Sequence, residues 1–173
     1  MKRLYRILLD FNAISLLFVV YLIKKHNPIC FWGIDFSYVI YIVGIMLFTF
    51  ICLVLSRFLP DELISGGIKE VELADSSYLP SFLGYFFVAL SVEDGRVLWS
   101  VAIIIFIFTY YSQILYFNPL FLIFRYRFYY ITMDNGMKLF ILSRKTIKSI
   151  DGLAFDSLKR INDYTFIDRS RVK

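Results

Sequence analysis

Residues 127–143 read RFYYITMDNGMKLFILS: two runs rich in aromatic and β-branched residues on either side of Asp134-Asn135-Gly136. Such runs joined through an Asn-Gly pair are a strong short-range signal for a β-hairpin, because both central residues of the tight turn need a positive φ that Asn and Gly adopt at low cost. With Asn135 and Gly136 as the turn pair, Met133 faces Lys138, Ile131 faces Phe140 and Tyr129 faces Leu142, while Tyr130, Leu139 and Ile141 occupy the other face. Both faces are then apolar. An isolated hairpin is marginal in water, so this one is expected to pack against more of its own tail, against the loop at 56–76, or against a neighbouring subunit.

Upstream, Asn118-Pro119 is a helix stop, since the residue before proline is pushed out of the helical region. Downstream, Ile147, Ile150, Leu153, Ala154, Leu158 and Ile161 recur at roughly helical spacing, interrupted by Asp151-Gly152, which suggests a short helix, a turn and a second helix or strand. Residues 118–173 hold eleven Lys and Arg against five acids, an excess of +6. Near anionic head groups each basic residue contributes about 1 kcal/mol of attraction. Nucleic-acid binding calls for a basic stripe with stacking aromatics, whereas these charges are dispersed, so no direct nucleic-acid contact is expected. The 56–76 loop is acidic, with Asp61, Glu62, Glu70, Glu72 and Asp75 against Arg57 and Lys69, and Gly66-Gly67 divides it. Its 68–73 stretch alternates like a short strand. The loop reads either as a solvated connector or as an acidic docking surface for a basic partner or for the chain's own tail.

The whole chain is 173 residues, 59% hydrophobic and 20% aromatic, against roughly 45–50% apolar for ordinary globular domains. Mean hydropathy is +0.67. A domain of this length buries only about 70% of its unfolded surface, so a bilayer is the natural sink for the rest. Four apolar stretches approach the length of about 20 residues that a crossing helix needs: 7–23, 37–55, 77–92 and 97–117. The third, at 16 residues, reaches only about 24 Å and reads as a crossing or a re-entrant segment. Charge favours four crossings. Three basic residues (Lys2, Arg3, Arg6), two in the 56–76 loop and eleven in the tail then share one side, 16 in all, against Lys24, Lys25 and Arg96 on the other. No small-residue cleavage site follows the first stretch, so it reads as an uncleaved span. The expected fold is a mainly α membrane protein: a four-helix transmembrane bundle over 1–117, both termini cytoplasmic, with a small cytoplasmic α+β C-terminal domain over 118–173 containing the hairpin at 127–143.

The outer surface would then be one loop at 24–36 and the turn Glu93-Asp94-Gly95-Arg96. Chemistry is sparse. There is no glycine-rich phosphate loop, no metalloprotease His pair and no nucleophile elbow, and the single histidine, His26, reads as a membrane flank. Two cysteines, Cys30 and Cys52, exclude a disulfide framework and a four-cysteine zinc site. No catalytic, cofactor or metal residue is assigned, and the chain is not expected to be an enzyme. Asp10 and Asn12 are polar groups inside a proposed span, where such residues are functional candidates. Arg6 precedes Asp10 by four residues, so an ion pair at the inner interface is the simpler reading. The other is a ring of Asp10 and Asn12 side chains holding subunits in register.

Four spans with both ends inside, a tail opening Asn118-Pro119-Leu120-Phe121-Leu122, the run Arg125-Tyr126-Arg127-Phe128-Tyr129-Tyr130, the hairpin, and then Leu142-Ser143-Arg144-Lys145 together resemble the KwaA family. Its members are the membrane subunits of the two-component Kiwa anti-phage system. The likeness in plan covers the chain, and its motif-like part lies within 118–150. The resemblance implies a bacterial inner-membrane homo-oligomer, a tetramer, in contact with membrane lipids. It would sense infection at the envelope and anchor and regulate a cytosolic DNA-binding effector, KwaB. The family offers no catalytic residue to carry over. Arg125, Arg127, Tyr129, Tyr130, Phe140, Glu70 and Glu72 are the candidates for partner or oligomer contacts, because tail and acidic loop would be the only large cytoplasmic surfaces. The alternative is a pore-forming or depolarising effector that acts alone. A transporter or an enzyme's membrane anchor lacks the paired helix breaks of a midplane substrate site.

Overall fold

The computed structural model describes residues 2–25, 30–31, 34–62, 67–74, 79–112, 118–147, 150, 153, 155 and 157–170. His26, Gly66, Asp75, residues 113–117, Asp151, Gly152 and Ala154, all used in the sequence reading, lie outside them. Helix α1 (Lys2–Lys25) is followed by a two-residue ribbon, β1 (Cys30–Phe31) with β2 (Ile34–Asp35), and by α2 (Ser37–Leu55). A helical hairpin, α3 (Leu79–Ser91) and α4 (Gly95–Ser112), and a single turn, α5 (Leu120–Ile123), complete the helices among the described residues. The first helix is the hub, packing against α2, α3 and α4. Its buried Ile14, Leu17 and Tyr21 recur at three- and four-residue spacing and meet Ala89 of α3 and Leu98 and Ala102 of α4. At the far end, Lys24 Nζ donates to the carbonyls of Leu90 (2.6 Å) and Val92 (3.1 Å), which the end of α3 leaves without helical partners. The Tyr21 hydroxyl donates to Glu93 O at 3.1 Å. Asp94 Oδ1 accepts from Arg96 N at 2.9 Å and caps α4.

This architecture corrects the expected four-helix transmembrane bundle with a small C-terminal domain. Of the five helices, α1 and α2 alone are long and apolar enough to cross a membrane among the described residues; the apolar parts of α3 and α4, Phe82–Ser91 and Gly95–Tyr111, are shorter. The other half of the fold is a six-stranded mixed sheet. Its strands are β3 (Asp61–Glu62), β4 (Ile68–Leu73), β5 (Arg127–Met133), β6 (Lys138–Ser143), β7 (Leu158–Arg160) and β8 (Thr165–Asp168), in the order β3-β7-β8-β6-β5-β4. Every pairing is antiparallel except β6 with β8. Two of the strands come from the 56–76 loop. The helical spacing read over 145–161 corresponds to no helix among the described residues there, and its end forms β7.

The hairpin register also differs by one residue. Thr132 pairs with Lys138, Ile131 with Leu139, Tyr130 with Phe140 and Tyr129 with Ile141. The loop has three residues, not two: Gly136 N donates to Met133 O (2.9 Å), Met137 N donates to Asn135 Oδ1 (2.9 Å), and Gly136 sits at φ +81°. A turn closed by a left-handed glycine is the usual three-residue solution. Phe128, Tyr130, Phe140 and Leu142 therefore share one face, with the Phe128 and Phe140 rings stacked at 5.7 Å. Tyr129, Ile131, Met133, Leu139 and Ile141 share the other. In β4 the register shifts between Ile68 and Glu70. That bulge lets Ile68 and Val71, three residues apart, reach the same face.

Each face has its own core. On one side Phe128, Phe140, Leu142 and Ile167 meet Tyr5 and Leu9 of α1, Cys52 and Leu53 of α2, and Phe121 of α5. On the other, Ile147 and Phe155 cover the Tyr129, Ile131 and Ile141 side. Helices α1, α2 and α5 are thus fused to one face of the sheet through a shared apolar core.

Candidate functional site

Two polar features lie where the helices meet the sheet. The first is a seam inside α1. Asn12 is wholly buried, and its Oδ1 lies 3.0 Å from the Thr49 hydroxyl of α2. That hydroxyl is also 2.9 Å from Ile45 O, so its single proton serves one acceptor at a time. The Asn12 carbonyl accepts from Asn118 Nδ2 (3.1 Å) and from Ser15 Oγ (2.6 Å), and Asn118 Oδ1 in turn accepts from Leu120 N (2.9 Å) at the start of α5. One asparagine thereby ties α1 to both α2 and α5. Asp10 is equally buried, and neither carboxylate oxygen has a hydrogen-bond partner among the described residues. No hydrogen bond joins Arg6 to Asp10 there, although the Arg6 charge still acts on the carboxylate. Arg6 also reaches α4, donating to Tyr110 O at 3.3 Å with its guanidinium 5.2 Å from the Tyr110 ring centre.

The second feature is a groove of about 870 Å³ lined by Leu122, Ile123, Phe124, Arg125, Tyr126, Arg127, Arg144 and Thr146. Helix α5 ends in a Schellman motif: Tyr126 N donates to Phe121 O (3.0 Å) and Arg125 N to Leu122 O (2.9 Å). The residue before Tyr126 must then be left-handed, and it is Arg125, at φ +62°. Glycine is the usual occupant; a side chain there costs roughly 1–2 kcal/mol. The Arg144 guanidinium lies 4.6 Å from the Tyr126 ring centre, and the Tyr126 hydroxyl accepts from Arg169 Nη1 (3.2 Å), which also donates to Leu53 O of α2 (3.2 Å). Phe124, on the opposite wall, leans on Phe50 of α2 with centroids 6.0 Å apart.

A family model described as anti-phage protein KwaA matches residues 5–167, and so spans the helices, the polar seam, the groove and the sheet. The chain belongs to the KwaA family. Its role therefore lies in anti-phage defence. No curated protein and no solved structure matches it.

Within this KwaA-family chain the expected contact residues separate into two groups. Tyr129 and Phe140 are buried in the two cores, and Tyr130 is half-buried against Phe140 with centroids 5.4 Å apart. The Tyr129 hydroxyl donates to Lys145 O (3.0 Å) and accepts from Ile147 N (3.3 Å), holding the strand exit. Arg125, Arg127, Glu70 and Glu72 are exposed. The glutamates lie on β4, an edge strand, opposite Thr132 and Tyr130. Asp61 and Glu62 engage the chain's own tail, with Lys159 Nζ 2.8 Å from Asp61 and Arg160 Nη1 2.7 Å from Glu62. Sequence reasoning missed Thr49, Arg144 and Arg169, whose roles depend on long-range packing. Among the described residues no cluster of three or more His, Cys, Asp or Glu side chains forms a metal site.

Proposed function

We propose that this KwaA-family protein is a non-catalytic membrane sensor of phage infection that anchors and regulates a cytosolic DNA-binding effector of the KwaB type. The observation that carries this reading is the core shared by Tyr5, Leu9, Cys52 and Leu53 with Phe128, Phe140 and Leu142. A change in how α1 and α2 pack cannot leave the sheet unaffected, because close-packed cores transmit strain. The exposed faces of α2 (Val39, Ile42, Val43, Leu47, Phe50, Ile51) suit lipid. Lys2, Arg3 and Arg6 begin α1 at its sheet end, while Lys24 and Lys25 close it at the other. With the eleven basic residues of the tail counted in, the positive-inside rule supports a cytoplasmic sheet in a bacterial inner-membrane protein. Homo-oligomerisation as a tetramer rests on the family resemblance.

The exposed Glu70 and Glu72 edge offers the effector a negatively charged contact. Co-purification of the tagged protein in mild detergent with its neighbouring gene product tests the reading. Co-elution of a soluble DNA-binding protein, lost in Glu70→Lys/Glu72→Lys, is the expected result. Loss of membrane potential on activation of this chain alone, with no partner present, would overturn it in favour of a pore-forming effector.

A further inference from the structure

We propose that the groove beside Arg125 and Arg144 binds the phosphate of an anionic phospholipid headgroup. The proposal rests on the membrane reading above. Arginines line the groove from separate stretches of chain, Arg125 from the α5–β5 connection, Arg127 from the start of β5 and Arg144 just after β6. Arg144 is stacked on Tyr126, and Tyr126 is held from behind by Arg169, so one fork is oriented before any ligand arrives. Planar, oriented guanidinium groups match phosphate oxygens better than any other side chain. Arg125 adds a second line of argument. It occupies a left-handed position that glycine would fill without strain, and strain retained at one residue points to a task for its side chain. The remaining wall explains why the ligand is an amphiphile and not free phosphate. Leu122, Ile123 and Phe124 are apolar, Ile123 is 58% exposed, and Phe124 lies against the exposed Phe50 of α2. A phosphate on the arginines would leave its acyl chains running along that surface.

The test uses the full chain, purified in neutral detergent and reconstituted in phosphatidylcholine vesicles with and without phosphatidylglycerol, with retained lipid counted by native mass spectrometry. The expected result is preferential retention of phosphatidylglycerol, weakened about tenfold in Arg125→Gly and in Arg144→Gln, the loss of one charge-assisted contact. Arg125→Gly should melt no lower than wild type in neutral detergent, so that loss of lipid is not loss of fold; Arg144→Gln probes the same groove without touching the turn. Equal phosphatidylglycerol retention by wild type and both variants overturns the site, as does saturation by inorganic phosphate with no lipid preference. Release of the wild-type protein from cell membranes by alkaline carbonate overturns the membrane reading itself. Firm membrane retention with unchanged lipid preference removes the groove proposal alone.

Discussion

Thr49 of α2 meets Asn12 of α1 at 3.0 Å in an interface where both side chains are wholly buried. Polar contacts between membrane helices contribute on average about 0.6 kcal/mol and at most about 1.7. Asn12 Nδ2 has no partner among the described residues, so the side chain depends on Thr49. Replacing Thr49 with valine keeps the shape and removes the donor; it should cost about 1 kcal/mol. Thermal unfolding in detergent would show it, and Asn12→Leu on the Thr49→Val background should recover part of the loss.

Phe128 is fully buried between the helices and the sheet. Truncation to alanine should destabilise by about 3–5 kcal/mol and expose both α1 and β5 to limited proteolysis. Phe108, 70% exposed on α4, is the control, and its alanine variant should lie within about 0.5 kcal/mol of wild type. Equal sensitivity of the two variants would contradict a shared core.

Gly136 has φ +81° and open space where a Cβ would go. Alanine there carries only the backbone cost, about 1 kcal/mol, and asparagine less. Gly67→Ala is a different case: its Cβ would run into the Asp134 carboxylate, next to the bond from Asp134 N to Gly67 O. Denaturant titrations should rank Gly136→Asn above Gly136→Ala in stability, and Gly67→Ala should loosen β4 without moving the β5–β6 turn.

Arg160 and Glu62, 31% and 36% exposed, pair at 2.7 Å. Screening at such a site limits the pair to about 0.5 kcal/mol. Glu62→Arg should lower the melting temperature slightly. The swap Glu62→Arg/Arg160→Glu should restore only part of it, because Arg160 Nε also donates to Asn162 O at 3.1 Å. Raising salt should shrink the difference.

Local patterns were legible where pairing is local. Both hairpin strands and the 68–73 strand follow from alternation and an Asn-Gly turn, and α1 and α2 from long apolar runs. The register was not legible, because a two-residue and a three-residue loop both place Asn135-Gly136 at the tip and both want a left-handed Gly136; Asn135, which is not at positive φ, decides between them. Leu158–Arg160 and Thr165–Asp168 are too short for a period to be recognised, and although they pair with each other locally, they join the hairpin only through the long-range pairing of β8 with β6. The crossing count failed for a related reason: composition measures how apolar α3 and α4 are, but not the length of each helix. At the polar seam the four-residue spacing brought the Arg6 charge to bear on Asp10, but it held no sign of the bond from Arg6 to Tyr110 O across the bundle. The groove is assembled from 122–127 and 144–146. Its left-handed corner has no sequence signature, since it carries arginine where a reader looks for glycine.

The placement of β8 also bears on how the chain is made. Thr165–Asp168 is the last strand in sequence yet lies inside the sheet, between β7 and β6. Ser143 and Asp168, hydrogen-bonded at 2.7 Å, are 25 positions apart, so at roughly 5–20 residues per second the ribosome needs about 1–5 s to supply the second after the first. Until β8 pairs, the hairpin holds Leu139–Leu142 with an open edge, the kind of surface that templates mispairing. Every described helix precedes β8 in the chain, so the sheet closes after the helices are made and the β6 edge is the last to be covered.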